Sequence, residues 1–152
     1  MDNFLSKILE AIKKLGIKPI IYGSFGVVNY LGNFKKFEDI DILIDDEFVN
    51  KRWEEFKKLL EGSNFNLVDE NEHEFELDNK KVGFASKNIL IRDKIINDYS
   101  ELIQYKNTNA LTLKPEDFLV AYKFSIKDGY RINTREKKDK DIINMLEAYL
   151  VR

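Results

Sequence analysis

Three groups of residues in this sequence have types and spacings suited to phosphate chemistry. The first is Gly23-Ser24, at the end of the apolar run Pro19-Ile20-Ile21-Tyr22. A glycine there lets a phosphate come close to the backbone, the serine adds a hydroxyl, and a following helix N-terminus offers unpaired N–H groups to an anion. The second is Asp39-Ile40-Asp41. On a strand, residues two apart project from one face, so the two carboxylates stand side by side. Without a partner they repel. With Mg2+ or Mn2+ they form a hard-oxygen half-site that leaves coordination positions for triphosphate oxygens. The third is Lys123, on a late helix whose neighbours are mostly apolar. It either snorkels to solvent or contacts a phosphate.

Elements that could position these groups can be read along the chain. Phe4, Leu5, Ile8, Ile12 and Leu15 recur at helical spacing and Gly16 follows as a stop. A short strand ends at Tyr22. Phe25 to Leu31 is helical in pattern, with Gly32 as its stop. Asn33 to Glu38 is a loop carrying Lys35 and Lys36, both expected to face solvent. Asp39 to Ile44 reads as a strand with Ile40 and Ile42 inward, and Asp45-Asp46 can cap a helix over about Phe48 to Leu60. Phe65 to Val68 is a strand, and His73–Leu77 with Lys81–Ala85 forms a hairpin. With Asn79-Lys80 as its central turn residues, Glu76 faces Gly83 and Leu77 faces Val82. Ile89 to Tyr99 carries no decisive pattern. Leu102–Tyr105 and Ala110–Leu113 suggest a second hairpin. Pro115-Glu116-Asp117 opens a helix that runs to about Lys127, stopped by Asp128-Gly129. Thr134 opens a last helix to about Leu150. His73 is isolated and is expected at the surface rather than as a base, and the charged run Arg135–Asp141 reads as a solvated helix start or a ligand's entry.

With these elements in place, the sequence resembles the nucleotidyltransferase superfamily. The resemblance rests on Gly23-Ser24, fourteen residues, then Asp39-Ile40-Asp41-Ile42. It is similar to the branch of aminoglycoside and lincosamide nucleotidyltransferases and abortive-infection-type toxins. Pro115-Glu116-Asp117-Phe118-Leu119 with Lys123, and Lys140-Asp141-Ile142-Ile143-Asn144, resemble that branch's two late helices. The resemblance implies an α/β (α+β) fold with a mixed, mostly antiparallel sheet flanked by helices. It implies a single domain over residues 1–152, with a core of about 17–113 and C-terminal helices over about 115–150. It further implies metal-dependent transfer of a nucleoside monophosphate from an NTP to an acceptor hydroxyl. Asp39 and Asp41 would hold Mg2+ or Mn2+, and Gly23, Ser24 and Lys123 would hold the phosphates. The acceptor would be a small hydroxylated molecule or RNA, and two copies could pair to complete the cleft. Such families place a third carboxylate on a later strand. Here Gly83 stands in that position, and Glu76, opposite it in the register above, is the expected substitute, with Glu74 as an alternative. The missing carboxylate also keeps open a degenerate protein that binds nucleotide or a macromolecular partner without turnover.

Composition narrows the field. The 152 residues are 43% hydrophobic and 34% charged, with a net charge of -2. That is enough apolar content for a core, and it is not the basic balance of a general nucleic-acid-coating protein. The absence of cysteine excludes thiol nucleophiles, disulfides and Cys-ligated metals. A single histidine excludes a multi-His metal site in one chain. No apolar run reaches the ~20 residues of a membrane span, and the N-terminus lacks a secretory pattern, so a cytoplasmic location is expected.

Overall fold

The computed structural model describes residues 1–34, 37–127 and 134–152, the side chains of residues 134–136 excepted. Lys35, Lys36 and the expected stop at Asp128-Gly129 lie outside the described residues. Among the described residues there are six α-helices: α1 (Asp2–Ile12), α2 (Gly23–Leu31), α3 (Trp53–Glu61), α4 (Ile89–Arg92), α5 (Pro115–Lys127) and α6 (Thr134–Leu150). Seven strands form one sheet: β1 (Ile20–Tyr22), β2 (Asp39–Ile44), β3 (Asn66–Asp69), β4 (Glu74–Leu77), β5 (Lys80–Ser86), β6 (Ile103–Gln104) and β7 (Leu111–Thr112). Their order is β3-β4-β5-β2-β1-β7-β6. β2 runs parallel to β5 and β1 parallel to β7, and the other neighbours are antiparallel. This is the mixed, mostly antiparallel α/β arrangement expected of a nucleotidyltransferase-type fold.

The two faces of the sheet are covered differently, and that difference creates the site. On one face Ile21, Ile40, Ile42, Ile44, Phe75, Val82 and Phe84 pack with Phe4, Ile8 and Phe56 from α1 and α3 into one apolar cluster. Ile40 and Ile42 are fully buried, so alternation along β2 turns Asp39, Asp41 and Leu43 to the other face. There Ile20 and Leu43 meet Phe118 and Ala121 of α5 and Ile142 and Leu146 of α6. Those helices cover only part of that face. Beyond Leu43 the strand presents Asp41 and Asp39, both exposed.

Two local expectations need correction. The helix expected over Phe48–Leu60 is split into a 3-10 turn at Asp46–Val49 and α3, which begins at Trp53. Asn50 breaks the run with a backbone conformation of φ -130°, ψ -97°, and its side-chain amide donates to Asp46 Oδ1 at 2.9 Å. The hairpin register is also different. Leu77 pairs with Lys80, Phe75 with Val82 and Glu74 with Gly83, while Glu76 pairs with Lys81. The central turn residues are Asp78 and Asn79, with φ of 54° and 65°. A tight hairpin turn with two left-handed residues favours Asp and Asn over Lys, and this moves the pairing by two residues.

Candidate functional site

β1 runs straight into α2. Tyr22 is extended, and Gly23, with φ +64°, is already the first residue of the helix. Its N-cap residue Tyr22 makes no side-chain cap hydrogen bond, and the first-turn N–H groups of the helix lie at the end of β1. β1 and β2 are antiparallel with Tyr22 opposite Asp41, which brings the aspartate against the same turn. A Cβ at residue 23 would stand 2.7 Å from Asp41 Oδ2. Glycine is therefore required twice, once for its backbone angle and once for the approach of the carboxylate.

Asp41 is opposite Gly83 on its other side, and Asp39 is opposite Lys81. The sheet thus carries a row running Tyr22, Asp41, Gly83, Glu74 across four strands. Gly83 leaves a gap in that row. A Cβ there would meet only Asp41 Oδ1 at 3.6 Å and the carbonyl oxygen of Glu72 at 4.0 Å. The residue across the gap is Glu74, and Glu76 lies two pairs further along, opposite Lys81. Burial pushes the Glu74 carboxyl up, with smaller contributions from Asp39, Asp69 and Asp41, while Lys81 opposes the shift. Lys81 Nζ stands 4.0 Å from Glu74 Oε1.

A cleft of about 690 Å³ opens over this row. Gly23, Ser24, Asp39, Asp41 and Gly83 line it from the sheet side, and Phe118, Ala121, Tyr122 and Ser125 line it from α5. Lys138 and Asp139 of α6 complete that wall, Asp139 with only 4% exposure. The turn before β4 adds Asn71, Glu72 and His73.

The cleft therefore brings Gly23, Ser24, Asp39 and Asp41 together, and it leaves two expected residues outside. Glu76 is displaced by the register. Lys123 lies on the opposite face of α5 from Phe118, and its ammonium stands 3.9 Å from Glu147 Oε2 of α6 with half of each side chain exposed. Helical geometry explains this. Positions 118, 121, 122 and 125 share one face, and 123 falls well outside it. Among the described residues, the cation on the cleft wall is Lys138 and the buried acid is Asp139. Asp141, which carried the resemblance in the last helix, is exposed. His73, expected at the surface, is half-buried and lines the cleft.

The donor set suits a divalent cation. Two adjacent carboxylates, with a helix N-terminus beside Asp41 for anionic oxygens, match an ion that keeps most of its ligands as water and phosphate. Among the described residues, no group of three or more His, Cys, Asp or Glu residues is assembled to hold a metal. No described helix is long and apolar enough to cross a membrane.

No family model matches the chain. The uncharacterized protein YnaI of Bacillus subtilis (strain 168) is 37% identical over 140 residues, covering 91% of this chain and 89% of that protein. Two solved structures share the fold, both of the aminoglycoside nucleotidyltransferase ANT(2'')-Ia. The solution structure of this antibiotic-resistance factor superposes with a TM-score of 0.61 over 97% of this chain and 87% of that one. Its crystal structure in complex with adenylyl-2''-tobramycin gives 0.58 over 99% and 97%. Sequence identity is 12% in both cases.

Proposed function

The chain belongs to one family with Bacillus subtilis YnaI, and from its fold and cleft we propose that it is a metal-dependent nucleotidyltransferase that moves a nucleoside monophosphate from an NTP to the hydroxyl of a small, cationic acceptor. One observation carries this reading. Asp41 stands against the N-terminus of α2, with Asp39 on the same face of its strand, inside a cleft large enough for a nucleotide. A carboxylate pair alone is a solvated strand face, and a helix N-terminus alone is only a dipole end. Together they set negative and positive groups side by side, as a triphosphate and its counter-ion require.

Each residue has a physical role in this reading. The N–H groups at Gly23 and Ser24 bind phosphate oxygens, helped by the positive end of the helix. Gly23 keeps the phosphates close to Asp41. Asp39 and Asp41 hold the divalent ion, which when bound neutralises triphosphate charge and polarises the α-phosphoryl group. Lys138, rather than Lys123, supplies the side-chain cation. Phe118, Ala121 and Tyr122 give an apolar wall against which a nucleoside can rest. Positioning and charge neutralisation account for most of the rate in such transfers. The loose row beyond Gly83 leaves Glu74 near the ion pair, not on the cleft wall, so its main effect is to add negative charge.

The acceptor is inferred from charge. Asp39, Asp41, Glu72 and Asp139 line the cleft against one described cation, Lys138, while Glu70, Glu74 and Asp78 are paired with Lys57, Lys81 and Lys7. An acidic rim attracts cations and repels a nucleic-acid backbone. The fold neighbour crystallised with adenylyl-2''-tobramycin supports a small acceptor of this type, and the acidic rim weighs against RNA. Gly83 favours one other reading, a degenerate protein that binds nucleotide without turnover.

Calorimetry with ATP, GTP, CTP and UTP, with and without Mg2+, tests the proposal. Binding that needs Mg2+ and disappears in Asp39→Asn/Asp41→Asn supports it. Failure of all four nucleotides to bind overturns it. Tight Mg2+-dependent binding without pyrophosphate release, across tobramycin and other aminated acceptors, selects the degenerate reading.

A further inference from the structure

Gly83 has no conformational reason to be glycine. It lies in the interior of β5, paired with Asp41 on one side and with Glu74 on the other. Its backbone is not left-handed, unlike that of Gly16, Gly23 and Gly32. Crowding does not require it either. A Cβ there would sit 3.6 Å from Asp41 Oδ1 and 4.0 Å from the Glu72 carbonyl oxygen, both ordinary contacts. The register on both sides runs through Gly83 without a break, so no bulge accounts for it. A glycine inside a strand weakens that strand, and where no bulge or bend explains it, it marks a place where another group comes close to the backbone.

The open space faces the cleft. Val82 and Phe84 are buried on the opposite face, so alternation turns Gly83 and Ala85 to the side of Asp39 and Asp41. Both line the cleft. β5 therefore gives the cleft a floor of two small residues beside the carboxylates. Glu74 pairs with Gly83 yet leaves the space unfilled. Asp41 thus has a glycine on each side, and the two sides differ. Toward β1, a Cβ at residue 23 would crowd Asp41 Oδ2 at 2.7 Å, while toward β5 the space beside Oδ1 is open. In the reading above, the helix end at Gly23 holds the triphosphate. Attacking and leaving oxygens stand roughly in line through the phosphorus, so the acceptor comes from the side away from the phosphates. That side is Gly83.

We propose that Gly83 is the specificity-determining residue of an acceptor subsite. Its missing side chain leaves a niche, beside Asp41 Oδ1 and the Glu72 carbonyl, in which the hydroxyl-bearing end of a small aminated acceptor rests against the β5 backbone. The inference rests on the nucleotidyltransferase reading above. Both polar groups at the niche accept hydrogen bonds, so the niche takes a donor, a hydroxyl or an ammonium. A methyl group placed there displaces that donor and touches neither Gly23 nor Ser24.

The test uses tobramycin as the probe, on protein loaded with Mg2+ and a non-hydrolysable analogue of whichever NTP binds by calorimetry. Wild type, Gly83→Ala and Gly83→Val are compared. A Cβ at residue 83 meets no clash and β-branched side chains suit strands, so both variants are expected to fold, and thermal midpoints check this. Nucleotide affinity is expected within about twofold of wild type, with tobramycin affinity about tenfold weaker in Gly83→Ala and weaker again in Gly83→Val. By NMR, the wild-type Gly83 amide resonance is expected to move when tobramycin is added to the loaded protein, a readout that needs no variant. Equal tobramycin affinity in all three proteins overturns the proposal. So does tobramycin binding that leaves the Gly83 resonance unmoved, or loaded wild type that does not bind tobramycin. A loss of nucleotide binding that matches the loss of tobramycin puts Gly83 on the phosphate side and overturns it as well. Wild-type protein that binds none of the four nucleotides fails the underlying reading instead, at the calorimetry step.

Discussion

The two walls of the cleft obey different rules. The sheet wall is built from β1, β2 and β5, where alternation and register leave each side chain one place to go. Once Ile40 and Ile42 are buried, Asp39 and Asp41 must face the cleft. The helix wall is built from α5 and α6, where each residue's direction depends on how the helix is rotated against its neighbours. Gly26 of α2 shows how tight that docking is: a Cβ there would come 2.6 Å from the Phe118 ring. Phe118 is fully buried, and its ring packs near Tyr22 and Tyr30. That contact sets the rotation of α5, turning Tyr122 and Ser125 in and Lys123 out. The sheet wall carries the rigid chemistry, and the helix wall tunes affinity around it.

Substitutions can break or sharpen this contrast. The largest effect is expected on the sheet wall. Asp39→Asn/Asp41→Asn abolishes Mg2+-dependent nucleotide binding in calorimetry and lowers pyrophosphate release by on the order of 10³-fold or more, with the thermal midpoint no lower than wild type. The two glycines beside Asp41 come next. Gly23→Ala places a side chain 2.7 Å from Asp41 Oδ2 at a left-handed angle and should destabilise the fold by about 1–3 kcal/mol in denaturant unfolding, with loss of nucleotide binding. Gly83→Ala meets Asp41 only at van der Waals distance and should stay within about 0.5 kcal/mol of wild type in the same measurement. Equal damage from both would show that the close approach at Gly23 is not what holds Asp41.

On the helix wall the expected effects are smaller. Lys138→Ala weakens nucleotide binding about threefold to fivefold, the size of an exposed charge pair, while Lys123→Ala leaves it unchanged. The reverse result would mean that α5 is rotated in solution. The smallest effect concerns Glu74. Its carboxyl is held above the ordinary range, so the folded state binds more protons than the unfolded chain, and stability falls as pH rises through that window. Glu74→Gln removes this penalty. It should raise stability at neutral pH by less than about 0.5 kcal/mol, with the gain vanishing once acid protonates the carboxyl in both states. Urea midpoints at pH 4 and pH 7 check the sign.

The sequence by itself determined what strand period and steric demand control: the apolar stripe of β2, the paired aspartates opposite it, and the glycine turn into α2. These are local, because side chains on a strand alternate whatever surrounds them. The hairpin was half legible. Its two strands are plain in the pattern, but Asp78-Asn79 and Asn79-Lys80 both look like turn centres, and a two-residue shift leaves every side chain on its original face. Only the pairing of left-handed angles with Asp78 and Asn79 decided that Glu74, not Glu76, stands across from Gly83. The charged run Arg135–Asp141 allowed a ligand's entry without saying that Lys138 and Asp139 would line it, and His73 carried no signal beyond its isolation. Their places depend on how α5 and α6 dock on the sheet and how the 70–73 turn folds back over Gly83. These contacts join residues far apart in the chain, and the tertiary structure chose them because burying Phe118, Ile142 and Leu146 against Leu43 leaves a single packing for that wall.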